Sequence, residues 1–270
     1  MPRLPAPPLP KILQPKPRKP GQAAERGLLD PVESGITAVD WIDERTSLSP
    51  ALRWILFRKV PRGTNWAYTL GSATLFAFLN QAVTGVFLAM WYRPDAAGGA
   101  YESMRYINDS VFAGQFVHAM HKWGASVMII LVFLHMARTF FYGAYKYPRE
   151  LTWVIGVVLL ILTLVMGFTG YLLPFDQKSY WASIVGVNIN SGGPFIGPFL
   201  SDFLRAGNEF GATTLSRFYA IHMLLVPGAI IALIGAHLYL VTRLGTTAPP
   251  WQKPQKDGPA AEAEHEVVQV

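Results

Sequence analysis

The chain has 270 residues, of which 51% are hydrophobic and 13% aromatic, and it carries a formal net charge of +6. It contains no cysteine, which excludes disulfides, iron–sulfur ligation by this chain and any haem attached through a thioether bond. The apolar residues are gathered into long runs with the basic residues beside them, so the positive charge follows membrane topology rather than a nucleic-acid surface.

Eight prolines fall within the first twenty positions, with basic residues between them. That composition predicts a disordered, extended tail over 1–35, with no apolar segment of the kind a signal peptide carries. Over 36–62 the stretch TAVDWIDERTSLSPALRWILFRKVP mixes tryptophan and aliphatic residues with charges, and predicts an interfacial amphipathic helix. Four apolar runs follow at 66–92, 111–141, 153–173 and 218–241, each near the ~20 residues that a bilayer crossing needs. The predicted fold class is an all-α membrane protein, a four-transmembrane-helix bundle over 63–245, ending in a mobile tail over 246–270. Between the third and fourth runs, residues 174–216 contain DQKSYW, SGGPFIGPF and LSDFLRAG. These are too polar to span and too aromatic for a plain linker, and they predict short interfacial helices able to wall a lipophilic pocket.

Arg53, Arg58, Lys59 and Arg62 precede the first run, Lys146 and Arg149 lie between the second and third, and Arg243, Lys253 and Lys256 follow the fourth. The positive-inside rule places these three regions and both termini in the cytoplasm. The other two connections then face the opposite, positive side of a bacterial plasma or thylakoid-type membrane.

Four of the six histidines sit in two apolar runs, His121 with His135 and His222 with His237. At ~100° and ~1.5 Å per residue, intervals of 14 and 15 bring a side chain back to within about 60° of the same helix face, roughly 21 Å along the axis. Two such helices side by side present two His–His pairs at two depths. One histidine in an apolar helix is commonly a hydrogen-bonded core residue, but ionisable groups inside a membrane are costly and point to function. Imidazole is an axial ligand of haem iron, so the matched pairs predict two non-covalent, bis-histidine b-type haems, with these four residues as the metal ligands. Gly71 and Gly85 in the first run, and Gly156 and Gly170 in the third, repeat the interval of 14. Small residues there let a flat macrocycle edge or another helix approach the backbone closely. Arg138 and Arg217 sit near the two membrane boundaries, and are read either as partners of haem propionates emerging there or as ordinary interfacial arginines that snorkel at helix ends.

The stretches HKWGAS and FLHMARTFFYGAY, YPRELTWVIGVVLL, GFTGYLLPFDQ with YWA, and LSRFYAIHMLLVPGAIIALIGAHLYLV resemble the N-terminal haem-binding half of cytochrome b. The resemblance runs from about Val39 to Leu244. The interval of 15 between His222 and His237, the VDWIDER opening and the PRELTW loop look most like the short, split cytochrome b of the complex containing cytochrome f; the mitochondrial form has 14 in both helices. It implies that His121 and His222 ligate a positive-side, lower-potential haem, and His135 and His237 a cytoplasmic-side, higher-potential one. The four glycines match the family's haem-edge positions, and Arg138 and Arg217 match its arginines. The segment from Tyr171 through Lys178 and Trp181 to Val185 matches part of the wall of the quinol-oxidising site.

Several positions depart from that pattern. Thr69 stands where the split form has a cysteine that tethers an extra c-type haem, so no covalent haem is expected. His118 replaces an arginine near a propionate, and is read as a propionate partner, a titrating group or a rival ligand to His121. Phe175 replaces a tryptophan after Leu-Pro, and Leu52, Arg53 and Trp54 fall where the split form has acidic residues near the cytoplasmic quinone site. The Pro-Glu-Trp-Tyr motif of the family's other half is missing. The resemblance therefore implies a separate three-helix subunit that carries it, a Rieske iron–sulfur protein, a c-type cytochrome and quinol as partners, in a dimeric complex. The alternatives are a dihaem membrane anchor passing electrons between a dehydrogenase or hydrogenase module and quinone, and a transporter or structural membrane protein without cofactor. The order of paired glycines, PRELTW and the Leu-Leu-Pro turn argues against the first, and a b-type absorption band would exclude the second.

Overall fold

The computed structural model describes residues 40–43, 45–46, 63–207 and 209–251. The chain divides into two compact units, Met1–Val60 and Pro61–Val270. In the first, the described residues are helical, and Arg45 lies 4.1 Å from the Trp41 ring centre while donating to the Trp41 carbonyl. The expectations for 1–35, for most of 36–62 including Leu52, Arg53 and Trp54, and for 252–270 fall outside the described residues.

In the second unit a short 3-10 turn, Trp66–Thr69, is capped by the Asn65 side chain, which accepts from the Ala67 N–H at 3.1 Å. It leads into α1 (Leu70–Ala89), followed by α2 (Gly99–Asp109), α3 (Gly114–Phe141), α4 (Glu150–Tyr171), α5 (Gln177–Ser191) and α6 (Gly197–Arg205). The chain ends in α7 (Ala212–Ala220), a π-helical segment (Ile221–Leu225) and α8 (Val226–Leu244), which run on without a break. Among the described residues there is no strand.

Four helices are long and apolar enough to cross a membrane: Trp66–Ala89, Gly114–Phe141, Glu150–Tyr171 and Ala212–Leu244. Only 6–17% of each apolar window is buried within the protein, so the rest of that surface needs lipid or a partner around it. The last span reaches back to Ala212, six residues before the apolar run at 218. The polar residues there hide the helix from hydropathy, but the Thr214 hydroxyl accepts from the Gly211 N–H and donates to the Arg205 carbonyl, which anchors the extra turns. α2 falls in a connection that hydropathy leaves blank; its buried Ala100, Ser103, Met104 and Ile107 follow helical spacing on one face.

α1 packs along α3, and α4 along α8. One core, built from Ala77, Phe78, Met128, Val226 and Ile230 with Leu159, Leu162 and Val165 against it, ties the four long helices together at mid-length. A second core joins the connections: Ala100 of α2, Val187 of α5, Leu204 of α6, and Leu215 and Phe218 of α7 close around Leu172. The histidine rings lie either side of the first core.

Candidate functional site

His121 on α3 faces His222 in the π segment, with ring centres 6.3 Å apart and planes at 78°. His135 on α3 faces His237 on α8 at 6.5 Å and 74°. The glycines complete the two levels. A Cβ placed on Gly85 would sit 3.2 Å from His121 Cε1, and one on Gly170 would sit 2.5 Å from His222 Cε1. At the other level, a Cβ on Gly71 would lie 3.1 Å from His135 Cε1, and one on Gly156 would lie 3.5 Å from His237 Cε1. Each imidazole therefore lies against a backbone that has no side chain at that point, two from α1 and two from α4.

The π segment accounts for the unequal histidine intervals. In a regular α-helix, 14 residues rotate a side chain by about −40° and 15 by about +60°. A π turn holds one residue more than an α turn at the same point. The segment Ile221–Leu225 absorbs the additional residue between His222 and His237, and both helices then present their imidazoles with one angular offset. Leu224 and Leu225, the segment's last residues, are 77% and 65% exposed.

The first pair carries further contacts that hydropathy and spacing do not reveal. His121 Nδ1 lies 2.9 Å from Thr84 Oγ1, while His222 Nδ1 lies 3.1 Å from the Met166 carbonyl and 3.3 Å from Thr169 Oγ1. A Thr-Gly dipeptide at 84–85 and again at 169–170 was the available signal; Leu70 and Ile155 precede the other two glycines. At the second level His237 Nδ1 is buried and meets no hydroxyl; its polar neighbour is the Thr152 backbone, outside strict hydrogen-bond geometry.

Arg138 is sandwiched 3.7 Å from the Tyr68 ring centre and 4.9 Å from that of Tyr142. Its Nε and Nη2 are buried and make no hydrogen bond, leaving a desolvated cation with unused donors one turn beyond His135. Arg217 is engaged elsewhere: it donates to the Phe203 carbonyl and lies over the Phe203 ring. His118 Nδ1 meets Asn108 Oδ1 at 2.9 Å, which ties α3 to α2, and it is His121 whose ring faces His222.

Lys178, Trp181 and Val185 project from the exposed face of α5, and Tyr171 is exposed at the end of α4. The opposite face of α5 buries Ser179, Ser183 and Val187. Asp176, the carboxylate nearest this face in sequence, accepts from the Ser179 N–H at 2.7 Å and serves as the N-cap of α5. Tyr92 braces the same end by donating to the Leu173 carbonyl at 2.6 Å and stacking on Tyr219, 5.5 Å away. Burial, and next the Tyr219 phenol, raise its pKa well above the ordinary value, so it remains a hydrogen-bond donor.

These residues fit haem better than a bare metal ion. Two imidazoles bound from opposite sides of one first-row metal at ~2.0 Å, each nitrogen ~1.1 Å from its ring centre, would place the ring centres ~6.2 Å apart, whereas tetrahedral binding would bring them to ~5 Å. The observed 6.3 and 6.5 Å agree. Among the described residues no third His, Cys, Asp or Glu joins either pair. A protein-held zinc needs more ligands than two, whereas a porphyrin supplies its own equatorial four and asks only for two axial groups and flat walls. Gly71, Gly85, Gly156 and Gly170 provide such walls, and the Arg138 donors suit a propionate.

Comparison with known proteins agrees with this geometry. The model of the family described as cytochrome b/b6/petB matches residues 56–245. The chain is 42% identical, over 218 residues, to the menaquinol:cytochrome c reductase cytochrome b subunit of Geobacillus thermodenitrificans, covering 78% of this chain and 97% of that one. It is 41% identical to cytochrome b6 of Heliobacterium modesticaldum over 213 residues, 78% of this chain and all of that protein. A solved structure described as a hyperthermophilic respiratory Complex III superposes with a TM-score of 0.73 at 30% identity. That match covers 85% of this chain, which spans 64% of the solved one. With four apolar helices, a family match over most of the bundle and relatives aligned end to end, this multi-pass membrane protein belongs to the cytochrome b/b6 family.

Proposed function

We propose that the chain is the dihaem cytochrome b subunit of a quinol:cytochrome c (or plastocyanin-type) oxidoreductase, carrying electrons from a positive-side quinol site to a cytoplasmic-side quinone site. The observation that carries this reading is the pair of imidazole couples at 6.3 and 6.5 Å, each backed by glycines. His121 and His222 hold the positive-side haem, and His135 and His237 hold the cytoplasmic-side one. Haem iron so held supplies one-electron chemistry tuned by its axial ligands.

The protein does the rest by position. The 14 residues from His121 to His135 set the two levels roughly 21 Å apart along α3. The apolar helices keep water from both, and Arg138 binds a propionate with its free donors. The exposed face of Lys178, Trp181 and Val185, with Tyr171, forms part of the quinol-site wall. Asp176 is occupied as a helix cap, so the base that takes the quinol proton comes from a three-helix partner subunit carrying Pro-Glu-Trp-Tyr. A Rieske protein and a c-type cytochrome receive the other electron, in a dimeric assembly. The basic loop at Lys146 and Arg149 faces the cytoplasm, as do both termini. Since two relatives, 42% and 41% identical, are named menaquinol:cytochrome c reductase cytochrome b subunit, a menaquinol analogue is the donor to test first.

The purified chain is expected to bind two b-type haems and to accept electrons from dithionite. It should turn over quinol with cytochrome c only after the three-helix and Rieske partners are added. Turnover by the chain alone, or a preparation without b-type absorption, overturns the proposal.

The π segment gives a second expectation. Deleting Leu225 shortens the interval to 14, which a regular α-helix matches to α3, and both haems stay bound. Deleting Val127 from α3, where no π turn can give up a residue, costs at least one haem. Loss of haem from the Leu225 deletion, measured by pyridine haemochrome content, would contradict this account of the interval.

A further inference from the structure

We infer that Thr84 and Thr169 are positioning residues that fix the protonation pattern of His121 and His222 and lower the potential of the haem they hold. The inference rests on the proposal that these imidazoles are axial ligands. A threonine hydroxyl has one proton to give. Thr84 Oγ1 directs its proton at the carbonyls of its own helix, Asn80 at 2.6 Å and Gln81 at 3.3 Å. It can therefore only accept from His121, 2.9 Å away, so His121 Nδ1 carries the ring proton. Thr169 Oγ1 is committed in the same way, to Val165 O at 2.8 Å and Met166 O at 3.2 Å. The partners of His222 Nδ1 are the Thr169 oxygen and the Met166 carbonyl, and a carbonyl only accepts; this nitrogen too is a donor. Both rings are left with an unprotonated Nε2, the nitrogen that remains able to bind a metal.

Donation from Nδ1 fixes the ring orientation and makes the imidazole a more basic ligand. A more electron-rich axial ligand stabilises ferric over ferrous iron and lowers the potential. Among the described residues no threonine hydroxyl pairs with the ring of His135 or His237, and Leu70 and Ile155 stand where Thr84 and Thr169 stand in the first pair. The two levels thus differ in ligand electronics within one set of four helices.

The test is redox titration of the two b-type haems in the membrane complex that contains the chain, comparing wild type with Thr84→Val/Thr169→Val. The haem absent from His121→Ala is expected to shift its ferric-to-ferrous equilibrium about tenfold toward reduction, an upward move of ~59 mV for one electron. The other haem keeps its potential. Thr84→Ser/Thr169→Ser retains the hydroxyls and the wild-type value. Thr163→Val, removing a buried hydroxyl that bonds only the Leu159 carbonyl, shifts neither haem. A valine pair that loses haem is replaced by Thr84→Ala and Thr169→Ala singly, with the same readout. Unchanged potentials, equal shifts at both haems, or a serine pair that behaves like the valine pair overturn the inference. A wild type with fewer than two b-type haems overturns instead the reading beneath it.

Discussion

Alanine at His121 and alanine at His222 are expected to remove the same haem, and alanine at His135 or His237 the other, so that each single variant falls from two haems per chain to one. Each ring couple takes one imidazole from α3 and one from the last span, and no third ligating side chain stands near either among the described residues. A truncated ligand therefore has no substitute within the bundle. The remaining couple lies on the far side of the mid-length core and keeps its own glycines, so its haem and potential survive. His118→Ala separates this arrangement from its rival. His118 is engaged with Asn108, and its loss should loosen α2 while leaving both haems in place. Pyridine haemochrome content with redox titration of the five variants decides the matter. If His118→Ala emptied the positive-side level while His121→Ala did not, the ligand assignment would fall.

Gly170→Ala is expected to abolish most positive-side haem binding, whereas Gly156→Ala leaves both haems in place. The two changes add the same methyl group to the same helix, but the space differs. At Gly170 the new Cβ would lie 2.5 Å from His222 Cε1 and 3.0 Å from Nδ1, closer than carbon atoms tolerate. At Gly156 the nearest atom is His237 Cε1 at 3.5 Å, an ordinary contact. His222 cannot retreat easily, because its Nδ1 is held between Met166 O and Thr169 Oγ1 and its side chain is 9% exposed. Overpacking of this kind costs ~1–3 kcal/mol, which translates to roughly 5- to 150-fold in haem affinity. Gly71 and Gly85, at 3.1 and 3.2 Å, should fall between the two. Leucine is expected to exclude haem at all four positions. Haem retention by Gly170→Ala at wild-type affinity would show that this glycine serves helix packing alone.

The four spans could be read from the sequence because lipid-facing helices must be apolar over their whole length, and the histidine and glycine intervals could be read because a helix repeats its faces. What stayed hidden has physical reasons. α2 buries only Ala100, Met104 and Ile107 with Ser103 among polar and charged neighbours, so hydropathy averages it away. The first turns of the last span are held by the Thr214 hydroxyl rather than by apolar residues. Thr84 and Thr169 act through single hydrogen bonds whose partners are 37 and 53 residues away, a relation no local periodicity records. The resemblance assigns Arg217 a family position, and in the fold its guanidinium donates to the Phe203 carbonyl of α6, a contact that sequence spacing does not record.

The widened turn at Ile221–Leu225 also bears on how chains of this family should be lined up with one another. It works as a vernier: the count of residues between His222 and His237 and the depth between the two imidazole levels become separately adjustable, so one residue can be gained or dropped here without moving either level. A gap between chains with intervals of 14 and 15 then belongs inside this one turn, beside the outward-facing Leu224 and Leu225, and not among the inward-facing residues up to His237. Placed later, the gap would pair buried positions with exposed ones over every residue between this turn and the gap, and substitutions there would be judged against the wrong surroundings.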